Sequence, residues 1–247
     1  MIQKLTNLTS TLVLTLFLTL ASISPLRAEK LDLSIKYLGI TAVKVQINDN
    51  GDFINTRAKS VGLAGIAAHM DNRYISNYSG QYLTTKYTKY ISQKSYQEER
   101  ETLYLRTEEQ ALRRDFLAEG QQEKYPINAE SRDFFSALFY LRYLPEIDSG
   151  YLWLDANKII WKAKYRLLRK ETINSKIGKK NALVVELSFE KFSKQPKENT
   201  DMLTNNLVDE EKSLIFWFSD DAERIPLMAK FTLKPFSVIW ELQSYEK

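Results

Sequence analysis

From Leu31 the chain alternates apolar and polar residues. Leu31, Leu33, Ile35 and Tyr37 fall on one side, and Asp32, Ser34 and Lys36 on the other. A period of two marks a strand with one buried face. After Gly39 the alternation resumes in Val43, Val45 and Ile47 against Lys44 and Gln46. Asn48-Asp49-Asn50-Gly51 then supplies residues that tolerate positive φ. A hairpin is expected there, with Phe53–Ser60 continuing the meander. The same pattern returns after Gly150. Trp161, Ala163, Tyr165 and Leu167 alternate with Lys162, Lys164 and Arg166, and Leu183, Val185, Leu187 and Phe189 with Val184, Glu186, Ser188 and Glu190. Leu214–Phe218, then Leu227, Ala229, Phe231 and Leu233, then Val238, Trp240 and Leu242 predict three closing strands.

Between the two meanders the period changes. In Ser131–Leu144, Phe134, Leu138 and Leu141 recur at helical spacing, with Ser131 as N-cap, Asp133 in the first turn and Pro145 ending the run. Val61–Met70 (VGLAGIAAHM) reads as a short helix or an irregular strand. Tyr74–Tyr104 reads as mostly extended, and Glu98–Glu119 suits either a strand or an exposed helix. Residues 191–212 form a long polar loop, uncommon inside a compact domain. Strands joined by short turns imply an antiparallel sheet. The expected fold is mainly β: a curved sheet forming a barrel or half-barrel, with a short apolar helix at about residues 132–144 packed on it.

The first residues have a separate role. Lys4 precedes an uncharged stretch from Leu5 to Ile23, and Pro25 and Leu26-Arg27-Ala28 follow. This order of basic end, apolar core and small-residue exit predicts a secretory signal peptide, residues 1–28, cleaved after Ala28. Residues 29–247 are then expected to form a single β-rich domain in the bacterial periplasm, with no permanent membrane anchor. There is no cysteine, so neither a disulfide nor a lipid on a new N-terminal cysteine is available. The mature part carries 33 basic and 31 acidic residues, a net charge of about +2. That excludes the charge footprint of a nucleic-acid binder.

Three segments carry a resemblance to a known family: DFFSALFYLR at residues 133–142, GYLWLDANKIIWKAKYRLLRKETI from Gly150, and IFWFSDDAERIP from Ile215, followed by a last strand containing WELQ. Their order and spacing resemble those of the bacterial exported proteins grouped as DUF3108. The resemblance implies a periplasmic, mostly antiparallel β fold and no known activity.

No catalytic or metal-binding constellation is visible, and no cofactor is expected. His69 is the only histidine, with no partner at a telling spacing. Asp220, Asp221, Glu223 and Arg224 read as a solvated turn rather than an acid–base pair. Lys162, Lys164 and Arg166 share a strand face and are expected to pair with Glu186 and Glu190 on a solvated outer face, the alternative being contact with anionic lipid or glycan headgroups. Arg142 either pairs with a strand carboxylate or receives an anionic ligand. Trp153, Trp161, Tyr165, Trp217 and Trp240 are expected in the core, lining a cavity if the sheet encloses one. The leading expectation is a non-enzymatic envelope protein that binds an apolar or amphiphilic ligand, a lipid or lipoprotein segment. The alternative is an interaction or scaffold module for an envelope protein, marked by a surface apolar patch instead of a cavity. A hydrolase, with His69 and a carboxylate converging in a cleft, is third.

Overall fold

The computed structural model describes residues 28–196, 198, 200–233 and 236–247. The expected signal peptide lies, except for Ala28, outside the described residues. Fourteen antiparallel strands form one sheet among these residues: β1 (Glu29–Tyr37), β2 (Ile40–Asp49), β3 (Phe53–Ser60), β4 (Asp71–Ser79), β5 (Leu83–Gln93), β6 (Tyr96–Leu105), β7 (Gln110–Asp115), β8 (Gln121–Pro126), β9 (Ser149–Ala156), β10 (Ile159–Ser175), β11 (Gly178–Lys191), β12 (Ser213–Ser219), β13 (Pro226–Leu233) and β14 (Phe236–Glu246). Three short helices accompany them: α1 (Gly62–Ala67), α2 (Phe134–Arg142) and α3 (Met202–Leu207).

The two meanders meet where β1 pairs with β14, placing Leu33 opposite Leu242 and Ile35 opposite Trp240. The apolar face of the β1–β2 alternation is largely buried as the pattern predicts, except at Tyr37, which is exposed, and Ser34 on the polar face is buried as well. Leu31, Leu33, Ile35, Val45 and Ile47 are buried, and the hairpin after β2 turns at residues 50–52. The ambiguous stretch Glu98–Glu119 resolves into β6, a single 3₁₀ turn and β7.

The expected barrel or half-barrel is not formed. The strand order runs β8-β7-β6-β5-β4-β3-β2-β1-β14-β13-β12-β11-β10-β9 and ends in two edges, with no ladder between β8 and β9. The cause lies at β9. Its free side is taken by the strap leading into α2, where Arg132 N–H donates to Trp153 O at 3.0 Å and Asp155 N–H donates to Arg132 O at 2.9 Å. One edge is thus covered by a loop, while β8 is short, and Gln121, Gln122, Glu123 and Lys124 on it are exposed. Both are ordinary ways to keep an edge from pairing.

Helix α2 starts later than its sequence pattern predicts. Asp133, not Ser131, is the N-cap, accepting from the backbone N–H groups of Phe135 and Ser136 at 2.9 and 3.2 Å. Eight of its nine residues are buried, so it is held by packing on every side. The 191–212 segment is not simply a loop: Asp201 caps α3, and Leu203 and Leu207 enter the core.

Candidate functional site

The inner face of β4–β8 is unusually polar. Tyr74, Tyr87, Lys89, Glu98, Thr102, Tyr104 and Tyr125 are all buried there. They form a chamber closed by Asp155 from β9, by Glu198 and by residues 200–204. Lys89 Nζ donates to Asp201 Oδ2 at 3.0 Å and to Asn157 Oδ1 at 2.8 Å, and stands 3.8 Å from Glu98. Tyr74 donates to the other Asp201 oxygen at 2.7 Å. Burial opposes ionisation of Asp201, yet the Lys89 charge and the bonds from Thr204 and Tyr74 hold its carboxyl below the usual range. Asp155 goes the other way. Burial pushes its carboxyl up, against the hydrogen bond from Tyr125 at 2.6 Å.

At the rim, Glu198 accepts from Arg113 at 2.7 Å and pairs with Lys158 at 2.6 Å, with Arg100 at 3.9 Å. Burial opposes these contacts, but together they pull the Glu198 carboxyl down to about 2. Glu123 on β8 also pairs with Lys158 and Arg113, at 3.0 and 3.2 Å. The void left among Lys89, Arg100, Arg113, Tyr125 and Asp155 is about 30 Å³, room for roughly one water. The chamber's cations are thus matched by its own carboxylates, and its space is filled by its own side chains.

A second void of about 20 Å³ lies among Leu33, Ile47, Leu214, Phe216 and Trp240, with Phe134 lining both voids and standing between them. Neither approaches the few hundred Å³ of a lipid or drug-sized pocket.

The aromatic residues singled out in the sequence are dispersed. Trp161 and Trp240 are buried, and Trp240 lines the apolar void. Trp217 is buried and donates to Glu171 at 2.6 Å. Trp153 is half-buried beside the exposed rings of Tyr151 and Phe192. Tyr165 lies across Gly150, where an added methyl would come within 2.5 Å of the phenol oxygen, so a larger residue there requires the ring to shift. Arg142 is fully buried and bidentate to Glu29, at 2.7 and 2.9 Å, with its remaining donors on the Arg224 and Glu223 carbonyls. Its partner is therefore a strand carboxylate. Lys164 pairs with Glu190 and Arg166 with Glu186, both at 2.8 Å, as the strand pattern predicts. Asp221 organises its turn by accepting from Ser219, Glu223 and Arg224. His69 is exposed on the rim of an open depression that also includes Asp71 and Ser92. Both Asp71 oxygens are held by Arg57, at 2.8 and 2.7 Å, so no chain from nucleophile through histidine to carboxylate is assembled among the described residues.

The sequence analysis missed one feature at the opposite extreme from the closed chamber. At the end of β1–β3, the β1–β2 turn and α1 form an apolar crest. Leu38, Ile40, Leu63 and Ile66 are 58, 62, 77 and 82% exposed. Val61 N–H donates to Ala42 O at 2.9 Å, which sets α1 beside the first residues of β2. Helix α1 has six residues, no side-chain cap and no buried residue. A helix that short is marginal in water unless something packs on it. The legible signal was Leu38 itself, an apolar residue in a two-residue turn that favours asparagine or glycine.

Comparison with known proteins gives a likeness in fold and adds no activity. No curated protein matches the chain. A β-barrel-like protein of the DUF1849 group from Brucella abortus is similar in fold, with a TM-score of 0.58 at 9% identity, covering 90% of this chain and 98% of that one. A candidate lipoprotein from Parabacteroides distasonis matches with a TM-score of 0.33 at 10% identity, over 90% of this chain and 97% of that one. A DUF1329 protein from Desulfovibrio piger matches with a TM-score of 0.24 at 10% identity, over 93% and 89%. Residues 32–235 match the family described as protein of unknown function (DUF3108), a stretch that runs from β1 through the buried helix to β13. The chain belongs to the DUF3108 family.

Proposed function

We propose that this is a non-enzymatic protein of the bacterial envelope that engages lipid with its surface, at the crest, and does not enclose it. The carrying observation is the crest: four large aliphatic side chains more than half exposed on two adjoining elements, in a molecule whose internal voids hold about one water each. Backbone geometry supports the reading. Leu38 sits at φ 52, in the left-handed region that a branched residue adopts at a cost. A strained, solvent-facing leucine adds nothing to folding, so its apolar side chain answers to something outside the fold.

The absence of cysteine allows a local test. An environment-sensitive dye on Leu63→Cys should shift to the blue when phospholipid vesicles are added. The same dye on Ser79→Cys, at the far end of β4, should not. A shift at neither position, or one lipid retained per chain in vesicle-free protein by native mass spectrometry, contradicts surface engagement.

A further inference from the structure

We infer that the crest docks on an anionic membrane surface, with the outer face of β2–β4 supplying the contacts to the headgroups. The inference rests on the lipid-engaging reading above and specifies the headgroup. Directly behind the crest, Lys44 on β2 stands opposite Lys59 on β3. One strand further, Arg57 stands opposite Arg73. Like charges facing each other across a ladder disfavour the sheet, so two such pairs in succession call for a counter-charge. The protein provides little. Asp71 is bidentate to Arg57 and 4.0 Å from Lys59, and no carboxylate of the described residues pairs with Lys44. Lys44, Arg57 and Lys59 line an open depression of about 600 Å³ whose one carboxylate, Asp32, is already engaged by Gln46, Ser244 and Lys30, and Lys94 projects to the C-terminal end of α1, donating to Ala67 O at 3.2 Å.

The spacing suits a bilayer. Lys44 lies two residues beyond Ala42, where α1 attaches, which is about 7 Å along a strand. With Leu38, Ile40, Leu63 and Ile66 at the edge of the hydrocarbon, that step places the Lys44 and Lys59 ammonium groups in the headgroup layer, itself roughly 5–8 Å deep on each side. An apolar edge backed by cations is the arrangement of interfacial anchors, in which insertion and attraction to anionic lipid add. A protein partner with an acidic rim is the competing occupant. The crest's most exposed side chains are aliphatic, Tyr37 at the end of β1 is only 36% exposed and α1 carries no arginine, which favours lipid over a protein partner.

The experiment uses the full chain labelled at Leu63→Cys, titrated with vesicles of phosphatidylcholine alone or mixed equally with phosphatidylglycerol. Partition should favour the anionic vesicles and weaken as salt rises from about 50 to about 500 mM. Adding Lys44→Gln and Lys59→Gln should cost about fivefold per charge on anionic vesicles, and leave partition onto neutral vesicles unchanged. Both are exposed positions, and equal unfolding midpoints will show that the variant is folded. Equal partition onto neutral and anionic vesicles, or no effect of the lysine changes, overturns the anionic assignment while leaving the surface-lipid reading standing. No dye shift on either vesicle overturns both. A shift that grows with protein concentration in the absence of lipid identifies a second copy as the occupant and also overturns the inference.

Discussion

The two halves of the sheet bury opposite kinds of side chain. Along β9–β14 and β1–β3 the inner face is mainly Leu, Ile, Val, Phe and Trp, as in Leu154, Trp161, Leu214, Phe216, Trp240 and Leu33, with Glu29, Asp49 and Thr56 among its buried polar residues. Along β4–β8 it is Tyr, Thr, Lys and Glu, and these residues are just as deeply buried. The apolar half is held by burial that depends little on pH. The polar half is held by a network whose members are costly to strand. The difference teaches that a polar interior need not be a binding site. Each of Lys89, Asp201 and Glu198 already has its counter-charge within the chain, whereas the crest, made of ordinary aliphatic residues, has no partner among the described residues.

The largest test of that contrast is Lys89→Met. It leaves Asp201 buried without its cation, while Glu98 keeps Arg100 at 3.4 Å, and should cost about 3–5 kcal/mol in denaturant unfolding, with part recovered by adding Asp201→Asn. Leu214→Ala in the apolar half should cost about 2–5 kcal/mol, with no second change that restores it. Acid separates the two. Asp201 is held below its usual range, so its stabilisation is complete above that range and is lost as pH falls through the lowered value. The Lys89→Met deficit should therefore shrink in acid and the Leu214→Ala deficit should not. If both deficits follow pH alike, the division into two kinds of interior fails.

Smaller effects follow at the rim. Glu198 has its carboxyl at about 2, below the ordinary value of 4.5, so its contribution is present above 4.5 and disappears as pH falls to about 2. Glu198→Gln should destabilise by about 1 kcal/mol or less at neutral pH, and match the unaltered protein near pH 2. Asp155 works in the opposite direction. Its raised carboxyl gives stability below the usual Asp range that is lost as pH rises through the raised value. The smallest change in stability belongs to the crest. Leu63→Asp with Ile66→Asp should move unfolding by no more than about 0.5 kcal/mol, while abolishing the response to vesicles. A large loss of stability there means that the crest belongs to the fold.

Much of the apolar half was legible in the sequence, because alternation between aliphatic and charged residues reports directly which way a strand faces. Leu33, Val45, Ala163 and Leu187 are buried where the pattern predicts. The polar half was legible only as strand. Lys89 shares the inner parity with Tyr87 and Ile91, and that break in the alternation is the one local sign of a buried charge. Its partner Asp201 is over a hundred residues away in the chain. No period connects them, so the pairing is a fact of tertiary structure alone. Closure failed as an expectation for a similar reason. Alternation reveals strands and faces, but not that Arg132 occupies the free side of β9. The crest was hidden because an apolar stretch such as VGLAGIAAHM reads the same whether it is buried or exposed.

The most direct measurement is amide hydrogen exchange of the intact protein with and without anionic vesicles. The account predicts that protection rises in residues 37–42 and 61–68 and stays unchanged along β5–β8 and in 200–208. Increased protection in the strands that line the chamber, with the crest unaffected, would contradict it and place the ligand inside.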